Sequence, residues 1–262
     1  MIAVIHLLPL PGAPLWEGSI EAVLERAQSE ARALAGAGFD ALIVENYGDV
    51  PFHPGAVPAE TVAAMALAVE RVRNATALPV GVNVLRNDAA AALGIAAAAG
   101  ASFIRVNVHT GAMLADQGWL EGRAHETLRK RTDLGLDVDI LADVLVKHAI
   151  APAGGSLIDA ARDAWHRGLA DGLIITGTAT GEPAEAGDIE ALRRAVPEAP
   201  LWIGSGLTPA NLADLLPRAD GAIVGSSLRR EGLAGQPLDS ERIRTFIDAA
   251  RLARATISSA KE

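Results

Sequence analysis

Leu201-Trp202-Ile203-Gly204-Ser205-Gly206-Leu207-Thr208-Pro209 reads as a strand, a glycine turn and a helix start in immediate succession. The apolar run ends at Gly204, and Thr208 and Pro209 fit the N-cap and first positions of a following helix. Working outward, the same unit recurs along the chain. Strand-like runs lie at 2–8, 41–46, 80–85, 103–108, 138–145, 172–176, 201–204 and 222–225. Helical patterns fall between them at 19–37, 58–76, 89–99, 123–134, 156–167, 189–195 and 209–216, and a final helix at 240–255 closes the series. Strands alternating with helices give a parallel sheet. Eight such units favour closure into a barrel, because an open doubly wound sheet commonly has about five or six strands. The fold predicted is one (β/α)8 TIM barrel over residues 1–262, with the last few polar residues frayed.

Composition agrees. The 262 residues are 50% hydrophobic but only 3% aromatic, so the core must be built from Ala, Leu, Val and Ile. That mix suits strands buried on both faces under alanine-rich helices. A net charge of −9 leaves no basic face for nucleic acid. With no cysteine, disulfides and thiolate chemistry are excluded. No leader pattern and no membrane span of about 18 apolar residues is read, and a cytoplasmic location is expected.

The strands should be apolar on both faces, yet polar residues gather at their late positions: His6, Glu45, Asn46, Asn83, Arg105, Asn107, His109, Asp143, Lys147, Thr176, Thr178 and Ser205. One such residue is ordinarily a solvated strand end; a set at one end of eight strands points to the barrel mouth, where such folds carry their sites. Arg105, Asn107 and His109 are two apart and share a face. A buried Arg105 would need Glu45 or Asp143 as partner. Lys147, one of only three lysines, follows Asp143 by four residues. It could form a Schiff base or pair with Asp143 as a plain salt bridge. Asp143, Lys147 and Glu45 are the catalytic candidates; His6, Asn46, Asn83, Arg105, Asn107 and Thr176 are the substrate-binding ones.

The turns Gly204-Ser205-Gly206 and Gly225-Ser226 follow the last two strands. Small residues let backbone amides approach an oxyanion, and this pair of loops frequently forms the phosphate site of such barrels. Ser205, Gly206, Gly225 and Ser226 are therefore the phosphate candidates, the alternative being glycines that merely permit tight turns. The loops after strands one, two and four, at 9–14, 47–57 and 110–122, are long and expected to wall the mouth. No nucleotide-binding, G-x-S-x-G or H-E-x-x-H motif occurs. No cofactor and no metal ligand set is predicted; a Mg²⁺ ion, if held, would fall to Glu45 or Asp143.

Several stretches resemble the BtpA family (BtpA/SgcQ): HLLPLPG at 6–12, ENYGDVPF at 45–52, PVGVNVLRND at 79–88, FIRVN at 103–107, LADVLVKH at 141–148, GSG at 204–206 and DGAIVGS at 220–226. The resemblance implies a barrel similar to the ribulose-phosphate-binding group and brings no settled reaction. In one cyanobacterial lineage it is associated with accumulation of photosystem I proteins. Two functions follow. The first is an enzyme, of isomerase, lyase or aldolase type, acting on a small phosphorylated metabolite. The alternative is a non-catalytic biogenesis or stability factor, such as for photosystem I assembly. Homo-oligomerisation is compatible with either.

Overall fold

In β1 (Ile2–His6) and β2 (Ala41–Glu45) every residue is buried, and each strand is apolar until its last position. Strands of this kind must be covered on both faces. The computed structural model, which describes residues 1–146, 149–152, 155–177 and 184–259, shows how. β3 (Val80–Asn83), β4 (Phe103–Val106), β7 (Asp139–Val144), β9 (Gly172–Ile175), β10 (Leu201–Ile203) and β11 (Gly221–Val224) join β1 and β2 in a closed barrel of order β1-β11-β10-β9-β7-β4-β3-β2. All neighbours are parallel, and the seam between β1 and β11 rests on Ile2 opposite Ile223 and Ala3 opposite Val224. Around it run α1 (Ile20–Ala37), α2 (Ala59–Ala75), α3 (Ala89–Ala99), α4 (Ala124–Asp133), α5 (Leu157–Arg162), α6 (Ala186–Ala195), α7 (Leu212–Leu215) and α8 (Ser240–Ser259).

Alternation along the strands creates two cores. Outward residues such as Ala3, Leu42, Ile104 and Leu173 pack beneath the helices. Inward residues Ile2, Val4, Ile43, Phe103, Leu141, Ile174 and Ile223, with Trp202, fill the barrel. Burying one such large side chain contributes about 1.5–3 kcal/mol. The two large rings fit only because glycines face them. A Cβ on Gly81 would lie 2.2 Å from the Phe103 ring, and one on Gly221 would lie 2.3 Å from the Trp202 ring. Two residues further along the same inward rows the hydrocarbon gives way to His6, Glu45, Asn83, Arg105 and Asp143, so the floor of the mouth is polar.

The structure corrects the reading of three segments. The stretch 110–122 is not an open loop: β5 (Ala112–Ala115) and β6 (Gly118–Glu121) form a hairpin, and β8 (Ala149–Ile150) joins it as a three-stranded antiparallel sheet of order β6-β5-β8. The helix read at 209–216 begins later and is short. Asn211 Oδ1 accepts the Thr208 N–H at 2.8 Å and its Nδ2 donates to the Gly206 carbonyl at 2.9 Å, which holds this stretch as a turn. α7 then passes into a 3-10 turn at Leu216–Arg218. The helix read at 156–167 divides into α5 and a π-helical turn, Asp163–Arg167. Among the described residues no helix is long and apolar enough to cross a membrane. The terminal residues expected to fray, 260–262, lie outside the described residues.

Candidate active site

Arg105 organises the mouth. It is buried at the end of β4, and its Nε and Nη2 both face the Asp143 carboxylate, the closest contact being 3.0 Å. On its other side Nη1 lies 3.5 Å from Glu45 Oε1. Burial alone would lower the Arg105 pKa; Asp143, then Glu45, reverse that and hold it above the ordinary guanidinium value. Both carboxylates named from the sequence as partners are therefore used at once. The same geometry bears on Mg²⁺, because a guanidinium stands where a cation shared by Glu45 and Asp143 would have to sit.

Asp143 is saturated. Its side chain is 0% exposed, and Asn107 Nδ2 donates to its Oδ2 at 2.7 Å. Asn83 Nδ2 in turn donates to Asn107 Oδ1 at 3.1 Å and to the Arg105 carbonyl at 2.8 Å. Asn83, Asn107, Asp143 and Arg105 thus form one buried polar network across β3, β4 and β7. Glu45 has a different setting. It faces a cavity of about 530 Å³ together with His6, whose Nε2 is 4.0 Å from Glu45 Oε2. The His6 ring stacks on Tyr47 with centroids 4.4 Å apart, and its Nδ1 accepts the Gly235 N–H at 3.1 Å. An Nδ1 that accepts leaves the neutral ring's proton on Nε2, toward Glu45.

The same cavity has Ser205, Gly206, Gly225 and Ser226 in its wall, on the side of β10 and β11. Gly206 takes the left-handed conformation, with φ 73°, which a side chain would strain. Ser205 Oγ accepts the Gly177 N–H at 3.3 Å, and Ser227 Oγ donates to the Leu207 carbonyl, so the two turns are tied together.

Of the substrate-binding candidates, His6, Asn83, Arg105 and Asn107 line this cavity. Asn46 faces away: its side chain clasps Leu85 through the N–H at 2.7 Å and the carbonyl, and also donates to Asp49. Thr176 sits beside Gly204, where its Cγ2 would meet an added Cβ, rather than in the cavity wall. His109 leaves the shared face because β4 ends at Val106; its Nε2 lies 2.8 Å from the Gly168 carbonyl, and burial lowers its pKa. Lys147 and Thr178 lie outside the described residues. Among those described, no group of three or more His, Cys, Asp or Glu is placed to hold a metal ion.

One wall group was not read from the sequence. Arg86, just past β3, lies over the Phe52 ring, with its guanidinium carbon 4.9 Å from the centroid. An arginine in the turn after a strand looks like any solvated loop cation. Only the preceding Asn83-x-x-Arg86 spacing, which puts it at the rim, could have flagged it.

A parallel eight-stranded barrel with its polar groups and glycine turns at the carboxyl ends of its strands belongs to the (β/α)8 architecture whose sites are built there. Solved structures agree on the fold. A chain described as native KDPGal aligns with TM-score 0.61 at 18% identity, covering 98% of this chain and 95% of that one. (S)-3-O-geranylgeranylglyceryl phosphate synthase from Thermoplasma acidophilum, solved with sn-glycerol-1-phosphate, aligns with TM-score 0.59 at 13% identity, covering 96% and 92%. The BtpA family model matches residues 1–252, and the chain belongs to that family. The photosystem I biogenesis protein BtpA of Synechocystis is 50% identical over 249 residues, covering 95% of this chain and 87% of that protein. A Thermococcus kodakarensis protein, TK2179, is 43% identical over 251 residues, covering 96% and 95%.

Proposed function

We propose that the protein is an enzyme that moves a proton on a small phosphorylated metabolite, in an isomerase, lyase or aldolase type of reaction. The observation that carries this reading is one cavity with both halves of the required chemistry. Ser205–Gly206 and Gly225–Ser226 supply the wall for the phosphate, and Glu45, His6 and Arg105 supply charge and proton acceptors at its floor. In barrels the loops after the last two strands frequently hold phosphate, and both structural neighbours named above are barrels of this shape. Glu45 is the proton acceptor, because it meets the cavity. His6 Nε2–H and the Arg105 guanidinium stabilise the oxyanion that develops on a neighbouring carbonyl. Asp143 acts through Arg105 and Asn107, holding both in place. Lys147 enters as a Schiff-base candidate.

The test is hydrogen exchange. Triose, pentose and hexose phosphates are incubated with the protein in D₂O and followed by NMR. A specific carbon-bound proton should exchange, and Glu45→Gln should reduce that rate by at least about 10²-fold in protein verified as folded by circular dichroism. Borohydride reduction followed by mass spectrometry of the peptide containing Lys147 checks the Schiff-base form. If no phosphate ester binds or exchanges, the reading falls.

A second reading has its own observation. Leu114 pairs with Trp119 on one side and Ile150 on the other, so the three share one face of the small sheet. They are 45%, 59% and 73% exposed. An apolar stripe of that kind fits a protein contact, whether an assembly role such as the Synechocystis relative's name describes or a second copy of this chain. Leu114→Lys combined with Trp119→Lys should then abolish partner capture or self-association in sedimentation velocity, while Glu45→Gln leaves it intact.

A further inference from the structure

Among the described residues the mouth holds a second cation, Arg86, that no carboxylate pairs with. Arg86 is half-buried in the cavity wall and stacks on Phe52. Its Nε is buried and unbonded, and among the described residues Arg86 makes no ion pair. Burial accordingly lowers its pKa; Asp116 and then Glu45 counter this from a distance without pairing. Leaving a buried charge-bearing donor unsatisfied is costly, and an arginine held that way is suited to binding a planar anion through two parallel hydrogen bonds.

Its backbone is fixed from both sides. Asn46 clasps Leu85 through both its N–H and its carbonyl, and the Arg86 N–H donates to the His53 carbonyl at 3.0 Å. This gives Asn46 a positioning role in place of the direct contact expected of it. The barrel order then fixes where Arg86 stands relative to the glycine turns. From β10 the fourth strand in either direction is β3, so Arg86 lies diametrically across the mouth from Gly204–Gly206. Arg105, its charge shared with Asp143 and Glu45, lies between.

We propose that Arg86 is the receptor for a carboxylate carried by the substrate at the end opposite its phosphate, so that the substrate class is a phosphorylated hydroxy or keto acid. The assignment rests on the phosphate reading above and narrows it. A sugar phosphate, with no second anionic group, leaves Arg86 unmet; a phosphorylated acid satisfies both ends and lays its middle carbons over Glu45 and His6.

The experiment uses two probes that differ at one end only. 3-Phosphoglycerate and glycerol 3-phosphate share the phosphate and the carbon chain; one ends in a carboxylate, the other in a hydroxymethyl group. Titration calorimetry at fixed ionic strength should show the wild type binding the acid at least about tenfold more tightly. Arg86→Gln should bring the two to parity while leaving glycerol 3-phosphate affinity unchanged, and Arg86→Lys should recover part of the preference. Ser226→Asp should weaken both probes together. Loss of both probes equally on Arg86→Gln, or no preference in the wild type, overturns the assignment of Arg86 alone. Failure of the wild type to bind either probe, or inorganic phosphate, removes the phosphate reading and this inference with it.

Discussion

Arg105 shows how one inward residue fixes its neighbours. Two carboxylates and an asparagine converge on or beside its buried guanidinium. Breaking a buried pair by removing one partner costs about 3–5 kcal/mol, because the remaining charge is stranded. Asp143→Ala should therefore lower stability by about 3 kcal/mol in urea denaturation, Glu45 retaining part of the compensation. A change below about 0.5 kcal/mol would show that the pair does not hold the scaffold. His109 gives a pH prediction. Burial holds its folded pKa below the ordinary value near 6.5, so the unfolded chain binds the proton first. Its contribution to stability is complete above that value and is lost as pH falls through the folded pKa. His109→Gln should flatten the acid side of a plot of melting temperature against pH. At this scale the sequence was informative where alternation applies: Arg105, Asn107, Asn83, Glu45 and His6 all lie where an inward residue must. It was silent where it does not. Asn46 follows Glu45 by one position and so faces the other way, and Arg86 owes its place to a turn whose course depends on contacts with the preceding loop.

The strands were legible as elements because each is a short apolar run bounded by glycine or polar residues, and barrel closure follows from their number. Pairing of large rings with glycines was not, since it links residues on neighbouring strands. Gly81→Ala should destabilise by about 1–3 kcal/mol through overpacking against Phe103. Adding Phe103→Leu should recover much of the loss, and a double-mutant cycle in denaturant measures the coupling. The hairpin β5–β6 escaped sequence reading for a different reason. Its strands are four residues each, they follow a barrel strand where a helix is due, and their third partner β8 comes from beyond β7. Short strands of this kind are defined by pairing rather than by propensity. α7 was overread because Thr208-Pro209 imitates a helix start, whereas the backbone first closes a turn, with the Asn211 N–H on the Thr208 carbonyl, and helical residues begin only at Leu212.

At the scale of the whole molecule the barrel depends on joining its ends. Arg229, 0% exposed, crosses that join: it pairs with Glu30 of α1 at 2.9 Å and donates to the Val4 carbonyl of β1 at 2.9 Å. Arg229→Met should destabilise by about 3–5 kcal/mol, since Glu30 is left buried, although Arg26 remains beside it. Combining it with Glu30→Leu should restore part of that loss in the same denaturation assay. The first strand can meet its last neighbour only after more than two hundred intervening residues have been made. During synthesis β1 therefore has one edge occupied by β2 and the other bare, and a bare strand edge invites pairing with another chain. Ribosome-bound chains arrested before residue 221 should consequently be prone to clump and to engage chaperones, and release of the final strand and α8 should end that vulnerability in one step.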